Sequence, residues 1–187
     1  MRKLLIKYAA SAASMNPTNT RCFTGASDAS TAVAIGANYM LVAEDRERKI
    51  RLYDRHNSGL PLNSFDFTSS LGLTDISAGV PREVDIKAST KIGNRIYWLG
   101  SHSNSSSGSS QPNRDRLFAT DISATGTNTM INYVGRYDNL RNDLIAWGDA
   151  NGCNFTASAA INKIPETSDG SGFNIEGLTI APNGTTG

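Results

Sequence analysis

A surplus of charge of either sign is what this sequence most lacks: 18 Lys+Arg stand against 17 Asp+Glu in 187 residues, a formal charge of +1. That balance removes the electrostatic basis for a non-specific nucleic-acid binder or for a protein held on an anionic membrane. Long apolar runs are missing too, and no stretch approaches the ~20 residues that a membrane span needs. Cysteine is limited to Cys22 and Cys153, with no C-x-x-C and only two histidines in the chain, which excludes a zinc cluster. The two thiols could form one disulfide in an oxidising compartment, or be two small buried hydrophobes. Glutamate is scarce, 5 residues beside 12 aspartates, whereas Ser, Thr, Asn and Gly together supply 71. Few good helix formers and many turn formers argue against a helical bundle and for short strands joined by turns.

At roughly 100–200 residues per domain the chain allows one domain, or two small ones. Residues 1–24 read as an N-terminal segment and 25–187 as the domain proper. The start, Met1-Arg2-Lys3-Leu4-Leu5-Ile6-Lys7, is basic and briefly apolar, but Lys7 breaks the run well short of the about 7–15 residues of a secretory core. No working signal is read there. The compartment stays open, a periplasmic or extracellular site of a longer form included.

An internal pattern recurs. Asp28 stands eight positions before Gly36, Asp85 eight before Gly93, and Glu176 eight before Gly184. After the first two glycines come strand-like runs, Tyr39-Met40-Leu41-Val42 and Ile96-Tyr97-Trp98-Leu99. Each run ends in a polar exit, Glu44-Asp45 or Gly100-Ser101-His102-Ser103, before a further strand, Lys49–Asp54 or Arg116–Asp121. Glycine at a tight hairpin supplies the positive φ that such turns require. The unit therefore reads as an antiparallel meander, and meanders arranged radially are the blades of a β-propeller. The expected fold is all-β: a partial β-propeller of two to three blades, over 25–80, 81–135 and 172–187. Closed propellers need about four to eight blades, so the chain looks like an N-terminal fragment. The missing blades, or another chain, would be needed to close the sheet.

Two segments interrupt the pattern. Residues 104–113 form a Ser-rich loop with no apolar side chain to bury, expected to be mobile. Residues 136–171 read as an insertion, with a short helix near 138–148. Asn139 or Asp138 would cap it, and Leu140, Leu144, Ile145 and Trp147 are spaced for one face.

Several strings resemble one bacterial family of uncharacterised proteins, DUF3616: residues 25–54, Arg82-Glu83-Val84-Asp85, Tyr97 to Ser103, Arg114 to Phe118, and Gly172-Phe173-Asn174-Ile175-Glu176-Gly177-Leu178. That family is similar to the esterase-like phytase propellers, whose E-G-L-A…D-G pattern is matched here by Glu176-Gly177-Leu178 and Asn183-Gly184. The resemblance implies a propeller and longer chains, and supplies little chemistry.

The chemistry must come from side chains. Asp28, Asp85 and Glu176 hold the same place in the pattern, and in a radial stack they would converge. Clustered carboxylates suit calcium, which takes six to eight oxygens in loose geometry, with Glu44, Asp45 and Glu83 as nearby oxygen donors. The alternative is that each acid is a solvated cap. Arg114 and Arg116 could clamp a phosphate, or pair with acids along an edge. Ser101 and His102 are neighbours on a strand and point to opposite faces, so they make no ready nucleophile–base pair. His102 could join a distant triad or simply hydrogen-bond at the strand exit, and His56 is expected to be exposed. Two functions follow. One is a non-catalytic propeller binding a small molecule or protein, its channel carboxylates able to hold calcium. The other is a calcium-assisted, phytase-like phosphoesterase, with Glu176, His102, Arg114 and Arg116 as its candidate catalytic residues.

Overall fold

The computed structural model describes residues 20–165 and 171–181. The first 19 residues and Asn183-Gly184 of the third unit lie outside them. The described chain is mostly β, in two four-stranded antiparallel meanders. The first runs β1 (Ala29–Ile35), β2 (Tyr39–Glu44), β3 (Lys49–Asp54), β4 (Asn63–Asp66), each strand beside the next. A short hairpin, β5 (Ile76–Ser77) and β6 (Val80–Pro81), leads to the second meander. That meander is β7 (Ile86–Ile92), β8 (Arg95–Gly100), β9 (Leu117–Ala124) and β10 (Met130–Tyr137), again in sequence order. Neither sheet closes on itself.

The hairpins follow from their glycines. Gly36 and Gly93 have φ of +60° and +59°, where a side chain would be strained, and they turn Ile35 onto Tyr39 and Ile92 onto Arg95. Each first strand also carries a register shift at its start, between Ala29 and Thr31 in β1 and between Ile86 and Ala88 in β7. The extra residue of such a bulge re-aims its side chain. Here it is Ser30 in one sheet and Lys87 in the other.

Strand alternation sets one apolar face of each sheet against the other. Val33, Ile35, Leu41, Ala43, Ile50, Leu52 and Phe65 meet Ile86, Ile96, Trp98, Phe118 and Ile131 in one core. Trp98 is fully buried, stacks on Phe118 with ring centroids 6.5 Å apart, and donates its indole N–H to Thr120 Oγ1 at 3.0 Å. The indole thus contributes its large apolar area without leaving its donor unpaired. The first strands of the two sheets lie side by side, joined by the Thr31 and Ser89 hydroxyls at 2.6 Å.

The helix expected near 138–148 is α1 (Leu140–Ala150), followed by α2 (Phe155–Ala159). Asn139 takes the N-cap position, its carbonyl accepting the Asp143 amide at 3.1 Å. Leu140, Leu144 and Ile145 are half-buried, but Trp147 is 59% exposed. The buried contact belongs instead to Gly148, where an added Cβ would come within 2.2 Å of the Phe155 ring. α2 can approach α1 there because Gly148 has no side chain.

The Ser-rich loop is tied down rather than loose. Asn104 donates to the carbonyls of Ala160 and Lys163, and Gly108 accepts from the Asn162 amide at 2.9 Å. Asn113 is fully buried; its Oδ1 accepts from the Thr74 and Asp75 amides, and its Nδ2 donates to the Asp75 and Arg82 carbonyls. Buried amide side chains hold this segment where apolar packing would otherwise be needed. Cys22 and Cys153 are both exposed free thiols, neither bonded to each other nor buried. Among the described residues no helix is long and apolar enough to cross a membrane.

Candidate functional site

Where the first strands of the two sheets begin, a cleft of about 430 Å³ opens, lined by Asp28, Asp45, Arg46, Glu83, Asp85, Lys87, Ser103, Ser106 and Arg114 among others. Backbone geometry builds it. Asp28 immediately precedes β1, and its carbonyl accepts the amide of Asp45, which immediately follows β2, at 3.0 Å. Asp85 immediately precedes β7, and its carbonyl accepts the amide of Ser101, just after β8, also at 3.0 Å. The two acids therefore hold the same place in their sheets. A third bond joins the sheets, from the Asp85 amide to the Asp45 carbonyl at 3.1 Å.

The side chains interleave charge. Lys87, aimed by its bulge, donates to Asp45 Oδ2 at 2.6 Å and lies 3.1 Å from Asp85 Oδ1. Arg114 Nη1 lies 3.2 Å from Asp85 Oδ2 and donates to Ser103 Oγ and the Asn104 carbonyl, while its Nη2 pairs with Glu83. Burial alone would pull the Lys87 ammonium down. The hydrogen bond to Asp45 and the charge of Asp85 outweigh it, and its pKa stands above the usual lysine range. Asp85 is buried and has φ of +55°, a left-handed conformation that aspartate, with glycine and asparagine, adopts more readily than other residues. Asp28 is the looser member, half-exposed and 3.4 Å from an exposed Arg46.

Of the three acids expected to converge, Asp28 and Asp85 line this cleft. Glu176 does not line it; it is exposed and accepts from Asn174 Nδ2 at 2.6 Å. Its neighbour Ile175 is the residue tied to the sheet, donating its amide to the Ser101 carbonyl at 2.9 Å. That bond has the form of the one from Asp85 to Asp45, so position 175 rather than 176 matches Asp85 in backbone role. Glu44, the other candidate oxygen donor, is buried against Arg51 at 3.1 Å and accepts the Ser27 amide. Among the described residues no group of three or more His, Cys, Asp or Glu is placed to hold a metal ion. A calcium ion at Asp28 and Asp85 would have to compete with Lys87 and Arg114 for the Asp85 oxygens.

Arg114 is in the cleft and Arg116 is not. Arg116 is buried and donates to four carbonyls, those of Leu71, Gly72, Pro112 and Asp115. Its guanidinium is committed to holding loops together. His102 is fully buried with φ of +54°; Nδ1 lies 2.7 Å from the Gly100 carbonyl and Nε2 has no hydrogen-bond partner. Burial, reinforced by the nearby Arg141 and Arg116 charges, pushes its pKa below the ordinary histidine range. Ser101 is engaged with Ser103, their hydroxyls 2.9 Å apart. His56 is exposed. Lys87 was the residue that sequence reasoning missed; as a lone lysine inside a strand, nothing marked it until the bulge gave it a direction.

The chain matches no family model, no curated protein and no solved structure.

Proposed function

We propose that the two meanders are consecutive blades of a β-propeller, related to the DUF3616 proteins, and that this arc is a binding module whose ligand enters the cleft at Asp28, Asp85 and Arg114. The observation that carries the reading is the blade-to-blade amide bond. Asp85 N to Asp45 O (3.1 Å) is repeated by Ile175 N to Ser101 O (2.9 Å), so a third unit would begin as the second does. The matching bulges and side-by-side first strands support the same radial order. A cleft that alternates Asp28, Arg46, Asp45, Lys87, Asp85 and Arg114 offers both donors and acceptors, which suits a small ligand carrying charges of both signs.

The calcium-assisted phosphoesterase is the second reading, favoured by one observation: Asp28, Asp85 and Arg114 share a cleft. Metal and guanidinium would there neutralise a phosphoester, with Glu176 or His102 left outside the cleft lining. Calorimetric titration with calcium chloride, together with hydrolysis of p-nitrophenyl phosphate, separates the two. The binding module predicts no calcium-dependent turnover. It also predicts that the stabilisation given by a zwitterionic compound, found by thermal-shift screening, is lost in Asp85→Asn. Calcium-dependent turnover abolished by Asp28→Asn and by Asp85→Asn would overturn it in favour of the enzyme.

A further inference from the structure

The cleft at the seam is saturated at its floor and unsaturated at its mouth. Asp85 offers Oδ1 to Lys87 and Oδ2 to Arg114. Asp45 accepts from Lys87 with Oδ2 and from the Ser30 hydroxyl with Oδ1. Arg114 commits Nη1 to Ser103 and the Asn104 carbonyl, and Nη2 to Glu83. The side chains of Asp45, Asp85, Lys87 and Arg114 are at most 15% exposed. A ligand reaches these charges only by undoing bonds already made, which leaves enclosed groups unpaired.

Three other charged groups of the lining are open. Arg46 is 72% exposed and Asp28 50%, and their side chains are tied only by the 3.4 Å contact of the guanidinium Nε with Asp28 Oδ2. Among the described residues, Asp28 Oδ1 and both Nη atoms of Arg46 have no partner. Glu83, 33% exposed, uses Oε1 on Arg114 and keeps Oε2 open. Exposed pairs of the Arg46–Asp28 kind hold weakly, so incoming charges can exchange with them.

The balance of charge sets the ligand class. Four acids of the lining (Asp28, Asp45, Glu83 and Asp85) face three bases (Arg46, Lys87 and Arg114), which leaves one net negative charge. The open groups are two carboxylates and one guanidinium. Their complement is two ammonium groups and one carboxylate, with one net positive charge. Ile164 and Pro165 add an apolar wall, and about 430 Å³ is ample for a molecule of amino-acid size.

We propose that the cleft binds a free diamino acid of the lysine type. Its α-carboxylate pairs with Arg46 and its α-ammonium with Asp28, since both pairs are adjacent. The side-chain ammonium pairs with Glu83, and the methylenes lie against Ile164 and Pro165. This assignment rests on the binding-module reading above and names the ligand of that site.

The test is calorimetric titration with L-lysine and three analogues that each lack one charge: cadaverine (no carboxylate), ε-aminocaproate (no α-ammonium) and L-norleucine (no side-chain ammonium). L-lysine should bind at least about tenfold more tightly than each, because each analogue drops one charge-assisted contact. Arg46→Gln should erase the preference over cadaverine, Asp28→Asn that over ε-aminocaproate, and Glu83→Gln that over L-norleucine. A merely structural role would weaken all four compounds alike, and circular dichroism checks that each variant folds. Analogues that bind as well as L-lysine, variants that keep all three preferences, or no saturable binding of L-lysine would overturn the assignment. The binding-module reading fails separately, if no zwitterionic compound gives a stabilisation that Asp85→Asn removes.

Discussion

Lys87 of the second sheet reaches across to Asp45 of the first, with Nζ 2.6 Å from Oδ2, and rests 3.1 Å from Asp85 on its own strand. One ammonium thus serves two carboxylates at the seam between the sheets. The side chains of all three are at most 15% exposed, so neither acid has water to fall back on.

Lys87→Met should therefore leave the enclosed Asp45 carboxylate without its cation, and Asp85 with Arg114 alone, and destabilise the fold by about 3 kcal/mol, read from denaturant midpoints. The pH dependence has a definite sign. Because the folded pKa of Lys87 is raised, its stabilisation is complete below the unfolded value of about 10.4 and is lost as pH rises beyond it. The Met variant should lack this alkaline decline.

Asn113→Ala removes an amide that satisfies two backbone amides and two carbonyls of the segment carrying β5 and β6. A loss of about 3 kcal/mol is expected, because buried groups are left without partners. Hydrogen exchange of the Thr74 and Asp75 amides should rise first. An Asn113→Asp variant keeps the acceptor and should protect those two amides better than alanine does.

His102 sets the acid side. Its depressed folded pKa means that the unfolded chain takes up the proton more readily, so stability is greatest above the unfolded value of about 6.5 and falls as pH drops below it. His102→Gln should flatten the fall in unfolding free energy that sets in below the unfolded value of about 6.5. An unchanged slope in the variant would assign the acid sensitivity to other groups.

The antiparallel strands were legible because glycine turns and alternating apolar residues leave periodic marks in a sequence. Asp28 and Asp85 were legible for the same reason, each standing at a fixed distance from its turn. Lys87 was hidden because a bulge breaks the alternation on which strand reading depends. Asn113 was hidden by its surroundings: composition describes residues 104–113 as a solvated tract, and only the fold reveals which amide is enclosed. The offset between Glu176 and Ile175 is a matter of backbone register, which residue types do not record. Trp147 was expected on the buried face of its helix, but Gly148, which admits the Phe155 ring, sets where α1 meets α2.

Arg116 draws its four carbonyl partners from two separated stretches, Leu71 and Gly72 on one side and Pro112 and Asp115 on the other. Those stretches lie about 40 residues apart in sequence, so bonds to both of them are expected to form late in folding. Its bonds then oppose escape from the native state while doing little to hasten arrival there. Whatever stability this one side chain adds is then spent on slowing departure from the native state.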